Sequence, residues 1–174
     1  MIHTDEDNLF HLLLKNLPVK IHASHNKSGA YSKAPVYTSY ALTNHSFIEF
    51  NSKERITIIV FDKDEHEGKT ALEYFEDLIT FEEWLIGMID IIPSYICQTT
   101  KGFQFGFVIK GFMTIQNGYN PKNSPEQYLS DIKRKLIKHL DLDHIASSRN
   151  KGVFRNPLVH KHISYTNIIY DLHD

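Results

Sequence analysis

The run RITIIVFDKDEHEG, residues 55–68, constrains the fold more than any other stretch of this chain. Its first half is apolar and mostly β-branched, which reads as a buried strand. The run then ends in two aspartates separated by one lysine. Residues two apart on an extended strand project to the same face, so Asp62 and Asp64 point together with Cα atoms roughly 6.7 Å apart, and Lys63 points the other way. Two carboxylates that close repel unless a cation lies between them. An oxygen-only pair suits Mg2+ or Mn2+ rather than zinc, and such ions keep positions open for water and phosphate oxygens. A strand that simply runs into a polar turn produces the same residues, so the motif needs support from elsewhere in the chain.

The flanking segments set the expected architecture. Apolar residues at 9, 10, 12, 13 and 14 predict a helix from Asp5 to about Lys15, ended by Asn16 and Pro18. Residues 19–50 read as loop with short strands, closing in the half-buried strand SFIEFN. KTALEYFEDLI follows the acidic run with helical spacing, which would place the carboxylates at a strand-to-helix junction. PSYICQTTKGFQFGFVIKGF reads as a β-hairpin turning near Lys101 and Gly102. After the loop NGYNPKN comes the helix SPEQYLSDIKRKLIKHL, with Ser124 as cap, Pro125 in the first turn and Gln127 three residues after the cap. The remainder reads as loop and strand up to a short terminal IIYDLHD. Strands interleaved with three main helices predict an α/β (α+β) sandwich with an antiparallel or mixed sheet. The chain has 174 residues, 41% of them hydrophobic, enough for one domain spanning 1–174.

A net charge of −2 does not advertise a nucleic-acid binder, but the charge is segregated. Acidic residues collect at 5–7, 62–67 and 73–83, whereas KRKLIKH and RNKGVFRNPLVHKH make the last third basic. An acidic metal pocket beside a basic groove gives this pattern, as do ordinary solvated helices. A metal site for phosphoryl transfer calls for a third carboxylate and for cations that hold the triphosphate. HLDLDHIASSRNKGVFRNPLVH offers Asp141 and Asp143, then Arg149, Lys151 and Arg155. The single cysteine, Cys97, forms no internal disulfide and fits a reducing cytosol. MIHTDEDNLF is no secretory signal, and FEEWLIGMIDIIPSYIC, broken by Asp90 and Pro93, is too short to span a membrane. A soluble, cytoplasmic protein is expected.

The order SFIEFNSKERITIIVFDKDEHEG, then TTKGFQFGF, then an Asp-bearing loop leading to FRNPLVH, resembles the plasmid and phage Rep proteins of the Replicase family, replication initiators related to archaeo-eukaryotic primases. The resemblance covers roughly residues 18–162, with FDKDEHEG and RNPL its most specific pieces. It implies an RRM-like catalytic core that makes short primers from nucleoside triphosphates on a DNA template, using divalent ions held by an Asp-x-Asp pair and a later acidic residue. By position Asp62 and Asp64 match the pair. Asp143 is the expected third ligand, with Asp141 close behind. In the broader primase pattern the central hairpin carries a histidine that contacts the nucleotide; here it reads KGFQFGF, so Gln104 is expected in that place, with Lys101 supplying positive charge. Arg149 and Arg155 are expected to hold phosphates, His160 either to touch the nucleotide or to serve the structure, and Asn156 to fix the turn into Pro157. Family members usually continue into a helical segment and an origin-binding module, so these 174 residues are expected to be either an excised catalytic domain or an unusually short relative.

Three other readings follow from the residues. LVHKHISY places His160 and His162 two apart with Tyr165 downstream, as in HUH endonucleases that nick single strands; but Lys161, between the histidines, fits an exposed edge better than a buried central strand. The tyrosines and lysines of NKSGAYSKAPVYTSY could stack bases and contact phosphates of a single strand, or fold back on the core. A non-catalytic DNA-binding initiator domain that recruits host replication proteins is the alternative to the enzyme.

Overall fold

The computed structural model describes residues 5–52, 54–113 and 124–172. In chain order its elements are α1 (Asp5–Asn16), β1 (Lys20–Ile21), β2 (Ala23–Ser24), β3 (Val36–Tyr37), α2 (Thr38–Asn44), β4 (Phe47–Asn51), β5 (Arg55–Lys63), β6 (Glu65–His66), β7 (Lys69–Thr70), α3 (Ala71–Phe75), α4 (Leu78–Ile89), β8 (Tyr95–Gln98), β9 (Phe103–Met113), α5 (Pro125–Leu140), α6 (His144–Ser147), β10 (Gly152–Arg155) and β11 (Ile163–Tyr165). The fold is α+β, and the named strands pair antiparallel throughout. The loop expected at 117–123 lies outside the described residues. Among them no helix is long and apolar enough to cross a membrane.

The central sheet has the order β11-β8-β9-β5, and a smaller one has the order β10-β4-β2. If only the strands of the central sheet are followed, the chain from β5 onward runs strand, helices, strand, strand, helices, strand, and β9 lies between β5 and β8 as in a split βαβ unit. The last strand lies beside β8.

Both faces of the central sheet are covered. Ile59, Phe61, Phe103, Phe105 and Phe107 pack with Phe75 and Phe81 of the first helices and Leu129 and Ile137 of α5. On the other face Ile58, Val60, Tyr95, Cys97 and Val108 pack against Leu9 and Leu13 of α1, Leu42 of α2 and Phe50 of β4. At about 1.5–3 kcal/mol for each large apolar side chain removed from water, this two-sided burial is what holds β5 in place. The strict alternation from Ile58 onward carries Asp62 to the α1 and β4 face and Lys63 to the helix face.

A bulge sets that phase. The β5–β9 register shifts between Ile56 and Ile58. The amides of Thr57 and Ile58 there donate to Oδ1 of buried Asn51, at 2.8 and 3.0 Å, and its Nδ2 donates to the carbonyls of Ile58 and Asn150, both at 2.7 Å. One asparagine thus satisfies the backbone that the bulge frees and joins the two sheets.

Helix boundaries follow local chemistry. α5 begins as expected, with Ser124 Oγ accepting from the Gln127 amide at 3.1 Å. The expected strand-to-helix junction at the carboxylates is not found. A tight hairpin, β6–β7, intervenes, because Glu67 and Gly68 both adopt positive φ (49° and 78°), the geometry of a two-residue hairpin turn. The helical spacing that follows is cut in two. Thr70 and Glu73 form a capping box for α3, Glu76 turns to φ 66°, and Asp77 starts α4 by accepting from the Thr80 amide at 2.8 Å.

Candidate active site

Asp62 is the last residue of β5 before buried Lys63, and β5 is an edge strand of the central sheet, so its outer backbone groups need partners. The segment 143–147 supplies them. The Asp143 amide donates to the Asp62 carbonyl at 3.0 Å, and the Asp62 amide donates to Ser147 Oγ at 3.0 Å. Ser147 is fully buried, and its role here was not foreseen in the sequence. The only local signal was Asp143 itself as a helix cap, its Oδ1 accepting from the Ala146 amide at 2.7 Å.

Lys63 fixes the turn that leads into this segment. It is buried on the helix face and its Nζ donates to the Asp141 carbonyl at 2.5 Å, with the Asp141 carboxylate 3.7 Å away. Asp141 terminates α5 in the left-handed conformation, φ 50°. The two candidates for the third carboxylate are thereby separated. Asp141 turns outward to partner Lys63, whereas Asp143 sits close enough to Asp62 to influence its ionisation.

Asp62 and Asp64 both line a cleft of about 320 Å³, together with Lys27, Gln104, Arg149 and Arg155. Asp62 Oδ1 is buried and has no hydrogen-bond partner. Burial first, and then the neighbouring Asp64 charge, push the Asp62 carboxyl up to about 6; Arg155 opposes this and Asp143 adds to it. A buried carboxylate oxygen without a donor costs on the order of 1–3 kcal/mol or more, and a cation beside it would remove that cost. On this observation the cleft suits a divalent ion, which the carboxylates of Asp62 and Asp64 would hold. Among the described residues, however, no three His, Cys, Asp or Glu side chains converge closely enough to hold an ion by themselves.

Gln104 lies directly across from Asp62 in the β5–β9 register. It is buried and its amide is fully used: Nε2 donates to the Arg155 carbonyl at 3.0 Å and to the Tyr95 hydroxyl at 3.2 Å, and Oε1 accepts from the Arg155 amide at 3.2 Å. Its geometric role is to pin β10 against β9. Arg155 is thereby held beside the cleft with its guanidinium 5.5 Å from the Phe47 ring. Arg149 joins it, Nε donating to the Ile145 carbonyl at 3.2 Å. Lys27, inside the Lys- and Tyr-rich stretch but not singled out by its spacing, completes the cationic side.

Not every expected residue enters this cleft. Lys101 lines a neighbouring one of about 330 Å³ with Asp64, Glu65, Asp141 and Asp143, so Asp64 stands between the two. His160 lines neither; it is half-buried, with its pKa lowered by burial and by Arg155. Lys151 pairs with Glu126 at 3.7 Å. Asn156 does fix the turn into Pro157: its Nδ2 donates to the carbonyls of Leu42 and His45, both at 2.8 Å, and its Oδ1 caps the 3-10 turn by accepting from the Leu158 amide at 3.1 Å. The nickase arrangement is not formed. Residues 160–162 lie in a bend before β11, so His160 and His162 share no strand face, and β11 is itself an edge strand.

Fold and site together define an α+β protein whose central sheet presents paired carboxylates to a cleft lined by cations. The family model of the Replicase family matches residues 16–174, and the chain belongs to that family. This makes it a replication protein, consistent with the archaeo-eukaryotic primase superfamily. A comparison with curated proteins and another with solved structures found no significant match.

Proposed function

We propose that this chain is a replication-initiator primase domain that joins nucleotides on a DNA template. The observation that carries this reading is the orphaned, buried Oδ1 of Asp62, which lines the same cleft as Asp64, Arg149 and Arg155. Asp62 and Asp64 would hold Mg2+ or Mn2+, with Asp143 adjacent, and the bound ions would acidify the attacking 3'-hydroxyl and neutralise the triphosphate. Arg149, Arg155 and Lys27 bind the phosphates and align the α-phosphorus with the primer end, a contribution of position and charge. Gln104 keeps Arg155 at the cleft wall, and Lys101 offers a second cationic contact across Asp64.

A second reading, a DNA-binding initiator domain without chemistry of its own, is favoured by one observation: the capping bond of Asp143 leaves two carboxylates, not three, directed into the cleft. The experiment that separates the two is a primer-synthesis assay with labelled nucleotides, single-stranded template and Mg2+ or Mn2+. The catalytic reading expects template-dependent incorporation that survives Tyr165→Phe and is abolished by Asp62→Ala. No product from the parent chain, or incorporation that persists in Asp62→Ala, overturns it.

A further inference from the structure

Between Asp7 and Glu49 the chain has no acidic residue, yet it carries Lys15, Lys20, Lys27 and Lys33. In a protein of net charge −2 this is a one-sided concentration of positive charge. The same segment leaves three tyrosines outside: Tyr31, Tyr37 and Tyr40 are 55%, 60% and 56% exposed. Tyrosine usually hides most of its ring. Three such rings on one acid-free segment form a surface of flat π-faces set among cations.

The fold connects these residues to the cleft. Lys20 stands opposite Tyr37 in the β1–β3 pair, its Nζ 4.7 Å from the ring centroid. Tyr37 leads into α2, where Tyr40 lies 5.6 Å from the His45 ring, and His45 stacks on His25 at 4.9 Å. Lys27 follows two residues later and lines the cleft that holds Asp62. A second cluster lies on the same acid-free segment: the Tyr31 ring is 5.0 Å from that of His22, whose Nδ1 lies 3.2 Å from the Lys33 carbonyl. The Tyr31 hydroxyl is anchored on Glu49 at 3.3 Å, which orients the ring without covering it.

We propose that this band is a track for single-stranded nucleic acid leading to the Asp62 cleft, with Tyr31, Tyr37 and Tyr40 stacking bases and Lys20, Lys27 and Lys33 contacting phosphates. Unstacked bases are the ligand that uses flat exposed rings, whereas a duplex hides its π-faces. The role of that strand as template rests on the nucleotidyl-transfer reading, whereas the binding itself does not.

The test is fluorescence anisotropy of the full chain with a labelled oligothymidylate of about fifteen nucleotides and with an abasic oligonucleotide of equal length. The parent is expected to prefer the oligothymidylate. Tyr37→Ala and Tyr40→Ala are each expected to weaken its binding about tenfold, while Tyr37→Trp retains it, a rescue that separates stacking from any loss of fold. Lys33→Ala should lower the salt dependence by about 0.7 of a counterion. The track is overturned if both alanine variants bind like the parent, if the abasic strand binds equally well, or if the parent binds anionic vesicles and no oligonucleotide. A parent that binds strands through these tyrosines but incorporates no nucleotide therefore upholds the track and removes the catalytic reading alone.

Discussion

The Asp143 amide donates to the Asp62 carbonyl at 3.0 Å, closing the open edge of the central sheet at the residue that carries the orphaned carboxylate oxygen. Backbone satisfaction and site assembly are one event here. The bond that stops β5 from exposing an unpaired carbonyl also brings a second acidic segment against the first.

Removing the charge of Asp62 should therefore act in opposite directions on stability and on metal response. Without added metal, Asp62→Asn is expected to stabilise the fold by about 1–3 kcal/mol, since it replaces a buried anion lacking a donor by a neutral amide. With Mn2+ at about a hundredfold over its Kd, the parent should gain about 2.7 kcal/mol and several degrees in Tm, whereas Asp62→Asn and Asp64→Asn should gain little. Thermal melts with and without Mn2+ measure both effects, and equal shifts in parent and variants would remove the ion from this position.

Asp141 and Asp143 should separate cleanly. Asp141→Gly relieves a left-handed residue and keeps the Lys63 bond to its carbonyl, but removes the carboxylate 3.7 Å from that buried ammonium, so the two effects oppose and stability should change little, with nucleotide incorporation intact. Asp143→Asn keeps an oxygen for the α6 cap but removes the charge, so incorporation should fall while the Tm changes little. The reverse pattern would make Asp141 the acidic partner of Asp62.

Gln104→Ala leaves the Arg155 amide and carbonyl and the Tyr95 hydroxyl without their partner inside the protein. A loss of about 2–4 kcal/mol is expected by chemical denaturation, with weaker triphosphate binding because Arg155 is no longer pinned. Arg155→Ala should weaken triphosphate binding to a similar degree at a smaller cost in stability. If Gln104→Ala binds triphosphate like the parent, the link between Gln104 and Arg155 carries no functional weight.

Lys133 gives a pH signature. This α5 lysine is buried, its Nζ donating to the Arg149 carbonyl at 2.5 Å over the face of Phe61, and burial lowers its pKa to about 7. The folded pKa lies below the unfolded one, so the folded state sheds its proton first. The stability linked to this group is present above the unfolded pKa and is lost as pH falls toward and through about 7. Relative to Lys133→Met, the parent should gain on the order of 3–5 kcal/mol between neutral pH and pH 10. A pH-independent difference between the two would show that Lys133 stays charged in the fold.

The sequence by itself determined what is local. The two-residue period of TIIVFDKD set Asp62 and Asp64 on one side and Lys63 on the other. The cap at Ser124, the hairpin turn near Lys101 and Gly102, and the cap that Asn156 Oδ1 gives the turn after Pro157 came from chemistry within a few residues. Even local signals failed where two competed: the helical spacing after residue 69 ran through Asp77, whose carboxylate starts a new helix rather than continuing the old one. Only the tertiary structure decided that Lys63 would take Asp141 and leave Asp143 beside Asp62, that Ser147 would serve the Asp62 amide, that Gln104 would be used up in holding Arg155, and that Lys27 would reach the acidic cleft. Each of these depends on which buried groups lack a partner once the sheet faces are packed. Such a deficit is created by chain segments far apart in sequence, and no periodicity or motif carries it.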